Sequence, residues 1–274
     1  MLLLGLLVTG GLYATLAPAT AEETSNQEDL VAEGRELFLL GCSFCHGQNG
    51  EGVLTQEGAQ LGPALAGTGA AAVDFQVGTG RMPLVQTSAQ APSKPEIYSQ
   101  DQIDALAAFV ASLGPGPAIP EESDYSTEGL SPEERAEAEA RGGQIFLTNC
   151  TACHNFAGSG GAMPRGGYAP TIRGVDPKYI YEAMLTGPQS MDNFSNGNIP
   201  PESKRDVIAY IESLEEKPGY GGFGLGGLGP VAEGLFAWVV GVGSLVGFAI
   251  WIAAHTTRTS RKKKSELAAE GADA

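Results

Sequence analysis

Apolar residues collect into long uncharged runs at the two ends of this chain, and between them they recur at helical spacing in segments punctuated by Gly and Pro. Leu235 to Ala254, LFAWVVGVGSLVGFAIWIAA, holds 20 residues without a charge. As a helix this run spans about 30 Å, the thickness of a bilayer's hydrocarbon core. It is apolar on every side, which suits lipid better than a protein core. Trp238 and Trp251 fall near its ends, where amphipathic rings favour the interface, and Gly241, Gly243 and Gly247 admit close approach of a neighbouring helix. Met1 to Ala19 is also apolar and free of charged side chains, and Ala19-Thr20-Ala21 resembles a signal-peptidase site. Residues 1–21 therefore read as a cleaved signal or a retained N-terminal anchor. Both fit the pattern, the retained anchor is preferred, and the missing basic n-region points to a start upstream of Met1.

The middle of the chain is a duplication. Glu33-Gly34-Arg35-Glu36-Leu37-Phe38 recurs 108 residues later as Arg141-Gly142-Gly143-Gln144-Ile145-Phe146. Positions i and i+4 share a helix face, so each copy sets a glycine notch beside an aromatic knob. Each repeat closes with an amphipathic segment, QIDALAAFVASL over 102–113 and KRDVIAYIESL over 204–214, in which Phe109 and Tyr210 correspond. The expected arrangement is a terminal helix pressing its aromatic into the notch of the first helix. Ser131-Pro132-Glu133-Glu134 combines a capping box with Pro at the first helical position, and Ser99 with Gln102 forms a second box.

These signals predict a mainly α chain with a first domain over 28–114, a Pro-rich and acidic linker over 115–130 and a second domain over 131–217. A Gly-rich connection over 218–230, a transmembrane helix over 231–254 and a tail over 255–274 follow. Proline density predicts a semi-extended linker with no core of its own. The seven glycines of Gly219 to Pro230 predict an irregular connection, either a tether or a docking segment through Tyr220, Phe223, Leu225 and Leu228.

Charge follows the same boundaries. The chain carries net −16, and its tail holds Arg258, Arg261, Lys262, Lys263 and Lys264 against three acids, leaving the remainder at −18. Basic residues directly after the membrane helix place the C-terminus in the cytoplasm and the two repeats on the outer face of the plasma membrane. A strongly acidic exported part argues against nucleic acid or anionic lipid as partners and for docking to a basic surface.

All four cysteines and two of the three histidines fall in Cys42-Ser-Phe-Cys45-His46 and Cys150-Thr-Ala-Cys153-His154. The Cys-x-x-Cys-His spacing is that of c-type haem attachment, in which two thiols add to the vinyl groups and the adjoining imidazole meets the iron. A thioredoxin-like pair does not require that His, and zinc-binding pairs lie closer together than these. The expected cofactors are two covalently bound haem c groups, one on Cys42 and Cys45, the other on Cys150 and Cys153. With no cysteine left over, there is no disulfide framework. Each repeat, near 90 residues, is small for an independent core, so haem supplies apolar volume and the apo-domains should fold poorly.

His46 and His154 each provide one axial ligand, and His255, beyond the membrane helix, can reach neither haem. Methionine then becomes the soft sixth ligand, which raises the potential relative to two histidines. Met82 is the only Met between His46 and the linker and lies 36 residues after it. In the second repeat, Met163 follows His154 too closely, Met184 sits in a helical-looking stretch where a core role is expected, and Met191 lies 37 residues after His154. Met191 also follows Thr186-Gly187 much as Met82 follows Thr79-Gly80, and is chosen. The second imidazole nitrogen needs an acceptor; Gly62-Pro63-Ala64-Leu65-Ala66-Gly67 and Ala169-Pro170-Thr171-Ile172-Arg173-Gly174 occupy equivalent places, making the Pro63 and Pro170 carbonyls candidates.

A Gly/aromatic first helix, Cys-x-x-Cys-His, a Gly-Pro-x-Leu-x-Gly loop, a Met loop and a final aromatic helix together resemble class I cytochrome c domains. The second copy is looser, with Ala169 for Gly62 and Ile172 for Leu65. Two such domains in tandem, then GGLGPVAEG and a C-terminal membrane helix, resemble over residues 30–265 the dihaem cc subunit of the actinobacterial cytochrome bc complex, a menaquinol:cytochrome c reductase. That resemblance implies an electron-transfer subunit with no quinol site of its own. It implies cytochrome b and Rieske iron–sulfur subunits as partners and an aa-type oxidase as electron acceptor, with no soluble carrier between. Two other readings stay open: a dihaem peroxidase, which needs an iron open to peroxide, and a membrane-tethered carrier serving a dehydrogenase or a cbb-type oxidase.

Overall fold

The computed structural model describes residues 2–88, 90–163, 166–216 and 230–270, and the Gly-rich connection falls almost wholly outside them. The first repeat comprises α1 (Leu2–Gly41), α2 (Ser43–His46), a small hairpin of β1 (Val53–Leu54) and β2 (Gln60–Gly62), α3 (Ala70–Gly78) and α4 (Gln100–Ser112). The second repeats that order as α6 (Pro132–Asn149), α7 (Thr151–His154), a β3 (Gly161–Ala162) and β4 (Tyr168–Ala169) hairpin, α8 (Pro177–Thr186) and α9 (Pro201–Glu216). The apolar N-terminus and the Gly34/Phe38 segment belong to the single helix α1.

In each domain the first helix packs along the last. The first core gathers Phe38, Val77, Ile103, Leu106, Phe109 and Val110; the second gathers Phe146, Ile180, Tyr181, Met184, Val207, Ile208 and Ile211. Gly142 receives partner backbone alone and Gly34 receives backbone together with the Phe109 Cβ, which corrects the expectation that an aromatic ring fills each notch. A Cβ on Gly34 would collide with the Ala105 carbonyl, and one on Gly142 with the Asp206 carbonyl. The aromatics instead meet each other, Phe38 on Phe109 at 5.0 Å and Phe146 on Tyr210 at 5.3 Å between centroids. Both capping boxes form, Ser99 with Gln102 and Ser131 with Glu134.

The linker differs from expectation. It contains the short helix α5 (Glu122–Tyr125), and it is fastened to both domains. The Pro117 carbonyl accepts from Ala71 N, and Thr127 Oγ1 donates to Glu212 Oε2 at 2.6 Å. Tyr125 packs against the second core. Proline kept this stretch extended, but its carbonyls and side chains found partners on the domain surfaces.

After the undescribed connection come α10 (Pro230–Phe236), a π-helical segment over Ala237–Val242 and α11 (Gly243–Glu270). Among the described residues, one helix is long and apolar enough to cross a membrane, Glu233–Ser265, with its apolar window wholly unburied. Trp238, Val239, Leu245, Phe248 and Ile250 all stand exposed around it. An apolar surface on all sides with no protein cover calls for lipid or a neighbouring subunit.

Candidate haem sites and relatives

In both motifs the chain turns sharply after the first helix, so that the cysteine pair and the histidine ride on a single turn of helix, α2 or α7. Cys42 and Cys150 face the cores, whereas Cys153 is exposed. Burial, and then the neighbouring Cys45 or Cys153, pushes the Cys42 and Cys150 thiols up to about 11. A thiol–disulfide exchange site needs a depressed value. Cys42 and Cys150 are held in the opposite sense, which does not suit a thiol–disulfide exchange site.

His46 Nδ1 lies 2.8 Å from the Pro63 carbonyl oxygen, and His154 Nδ1 lies 3.0 Å from that of Pro170. A carbonyl can only accept, so each Nδ1 carries the proton and leaves Nε2 free to coordinate. Burial holds the His154 imidazole below its ordinary value, against the opposing pull of the Pro170 carbonyl, which favours the neutral ligand form. The loops are anchored locally: Leu65 N donates to the Gly50 carbonyl and Ile172 N to that of Gly158. A Cβ on Gly62 would press on the Cys45 carbonyl and approach His46 Nδ1, so this glycine leaves room for the imidazole.

Cys42, Leu65 and Met82 border the first core; Cys150, Ile172, Met191 and Phe194 border the second. In each domain the attachment motif, the Pro-containing loop and the chosen Met thus converge on one apolar centre. Met82 N donates to the Gln76 carbonyl at 2.8 Å, tying its loop to the last turn of α3. The Met191 loop is fixed similarly, with Phe194 N donating to the Met184 carbonyl at 2.8 Å. Met184 itself is 4% exposed inside the second core. Met163 stands away from that core, in the β3–β4 hairpin, where its N–H bonds to the Gly167 carbonyl. The apolar centres, the paired cysteines and the imidazoles with Nε2 unengaged fit a haem in each domain.

Sequence reasoning did not foresee that the two domains share a face. Helix α3 packs on α8, with Phe75 edge-on to Tyr179 at 6.3 Å and Lys178 Nζ 2.6 Å from Asp74 Oδ2. Two glutamines pair with backbone across the boundary. Gln90 receives Tyr168 N at 3.0 Å and donates to the Tyr168 carbonyl, and Gln189 does the same with Ala91, at 3.1 and 3.3 Å. None of these residues lies in a repeat motif, so the repeat gave no signal for them.

Known families match both repeats. The family described as cytochrome c covers residues 31–114, and that described as cytochrome C oxidase, cbb3-type, subunit III covers residues 137–211. The cytochrome bc1 complex cytochrome c subunit of Mycobacterium tuberculosis is 43% identical over 262 residues, covering 93% of this chain and 90% of that protein. The subunit of the same description from Corynebacterium diphtheriae is 41% identical, covering 93% and 92%. The cbb3-type cytochrome c oxidase subunit FixP of Bradyrhizobium diazoefficiens is 23% identical, covering 76% and 70%. With two cytochrome c domains, a membrane-length C-terminal helix and full-length identity above 40%, the chain belongs to the family of cytochrome c subunits of the actinobacterial cytochrome bc1 complex.

Proposed function

We propose that this chain is the dihaem electron-transfer subunit of a respiratory cytochrome bc complex, relaying electrons from a Rieske iron–sulfur protein to an aa-type terminal oxidase. Haem c, when bound, supplies a one-electron iron couple. Cys42 with Cys45 and Cys150 with Cys153 would hold it covalently, and His46 through Nε2 with Met82, and His154 through Nε2 with Met191, would be the protein's ligands to the iron. Pro63 and Pro170 fix the two imidazole planes through their carbonyls. Quinol oxidation belongs to partner subunits, cytochrome b and the Rieske protein, so the chain counts as part of a menaquinol:cytochrome c reductase through that assembly.

The observation that carries this reading is the shared face between the domains, where α3 meets α8 and both Gln90 and Gln189 bridge backbone. A relay through two centres in series requires them to keep a fixed mutual position, and this packing supplies it. The C-terminal helix then tethers the pair to the membrane, with the domains on the outer face and the basic tail in the cytoplasm. Tethering replaces diffusional encounter by high effective concentration.

The family match at residues 137–211 and the likeness to FixP favour one other reading, a tethered carrier within a cbb3-type oxidase. Identity of 23% there against 41–43% for the bc1 subunits weighs against it. The test is purification in gentle detergent followed by quinol-driven oxygen consumption, with and without added soluble cytochrome c. Co-purification with cytochrome b and Rieske subunits, and turnover independent of added carrier, are expected. Absolute dependence on the carrier, or association with a cbb3-type oxidase instead, overturns the relay.

A further inference from the structure

The face between the domains encloses three ionisable side chains. Asp74 on α3 and Glu182 on α8 are both fully buried, and Lys178, one turn before Glu182, is 22% exposed. Asp74 takes Lys178 Nζ on Oδ2 at 2.6 Å and Gln100 Nε2 on Oδ1 at 3.1 Å. The Glu182 carboxyl reaches Asp74 as well, but as a carboxylate neither of its oxygens has a donor. Two anions and one ammonium are enclosed together. The other titratable groups bearing on the cluster are Glu96 before α4, Asp104 against Gln100 on α4, Tyr125 and Glu122 on α5, and Asp176 and Tyr179 on α8. All are acids; Lys178 is the cation that bears on Glu182, and Arg81 lies over the Phe75 ring at 4.8 Å.

A buried carboxylate with no donor and no cation of its own is costly, and two carboxylates in contact resolve the conflict by holding one proton between them. We propose that Asp74 and Glu182 form a proton-binding site that joins the two haem domains, with one proton on Glu182 donated to Asp74 and Lys178 neutralising the remaining charge. The protonated Glu182 oxygen then has an acceptor in Asp74, and the interior of the contact is electrically neutral. Burial, followed by the Asp74 charge, pushes Glu182 up to about 9, in keeping with a proton held at neutral pH. Because Lys178 and Glu182 are i and i+4 on α8, both grip the same Asp74 of the other domain. The last turns of these two helices carry the Met82 and Met191 loops. The proton therefore sits in the contact that fixes one methionine loop relative to the other.

The haem-loaded full chain in detergent tests this in two ways. Infrared difference spectra between pH 7 and pH 10 should show the carbonyl stretch of a buried carboxylic acid at pH 7, shifted in D2O. It should be absent in Glu182→Gln, and absent in Asp74→Asn, where Glu182 takes over Lys178 as a simple ion pair. Thermal unfolding supplies the second readout. A folded-state value raised above the unfolded value near 4.3 means that the folded chain holds the proton after the unfolded chain has lost it, so stability falls as pH rises between them. Glu182→Gln removes that loss, and its midpoint should exceed the wild type's by an amount that grows from pH 5 to pH 8. No acid band in the wild type, a band that survives in Glu182→Gln, or a Glu182→Gln midpoint below the wild type's at pH 8 overturns the proposal. Should Glu182→Gln fail to assemble, the wild-type and Asp74→Asn spectra decide.

Discussion

Lys204 Nζ lies 2.7 Å from Asn196 Oδ1, and it is the same fully buried ammonium that donates to the Ile199 carbonyl at 2.6 Å. Both acceptors belong to the segment that follows Met191, and Tyr181 presents its ring 5.5 Å from the same nitrogen. A lysine at the start of α9 thus holds the methionine loop of the second domain to the helix that closes it.

Replacing Lys204 with Met should leave the buried Ile199 carbonyl without a donor, at a cost of about 1–3 kcal/mol. Denaturant unfolding of the haem-loaded chain measures it. The pH dependence has a definite sign. Burial lowers Lys204 to about 8, while an unfolded lysine titrates near 10.4. Between these values the unfolded chain binds the extra proton, so this residue makes stability rise with pH from about 8 upward. Lys204→Met should abolish that rise; an unchanged slope would assign it to another group.

Two adjacent glycines should behave differently. A Cβ on Gly142 would strike the Asp206 backbone, whereas one on Gly143 would meet the Tyr210 ring at 3.0 Å. Backbone cannot yield without separating α6 from α9, while a ring can turn. Gly142→Ala should cost about 3 kcal/mol or more and Gly143→Ala about 1 kcal/mol or less. Thermal midpoints and the yield of haem-loaded protein compare them, and equal losses would show that the helix crossing is less tight than the packing indicates.

That contrast also marks how far the sequence could be read. The repeat at an offset of 108 residues exposed both first helices, and Ser99 and Ser131 located two helix starts, because capping and periodicity are local. Identifying Gly34 and Gly142 as close-approach points was possible; deciding that backbone and not ring fills them was not, since that depends on helix rotation. The loop repeat pointed to Pro63 and Pro170, and each carbonyl does stand at hydrogen-bond distance from its histidine. The Asp74–Lys178 pair was invisible because its partners lie 104 positions apart in non-equivalent places of the two repeats. The two hairpins were missed too, since strands of two or three residues carry no alternating pattern.

Haem attachment predicts a simple mass. The four cysteines leave none spare, so denatured chain should retain two haems through thioether bonds, and acidic acetone should extract neither. Cys153→Ala should leave the second haem held by one bond. The unmodified polypeptide mass in the purified wild-type chain would contradict the attachment altogether.

The two methionines on either side of Gly187 separate packing from ligation. Met184 is 4% exposed in the second core, and its carbonyl accepts from Phe194 N, so truncation to Ala should open a cavity and cost about 2–5 kcal/mol. Its thioether points into the packed cluster of Ile180, Val207 and Ile208, and the iron ligand set should survive the loss. Met191 is only partly buried at the edge of that cluster, in the loop that Lys204 and Phe194 hold in place. Met191→His exchanges a soft sulfur for a nitrogen donor, which should lower the potential of one haem and remove its sulfur-to-iron charge-transfer band, with modest effect on unfolding. Met82→His should do the same to the other haem. Potentiometric titration with near-infrared absorption follows both centres at once. If Met184→Ala erases the band while Met191→His leaves band and potential unchanged, the ligand of the second haem is Met184 and α8 must rotate to deliver it.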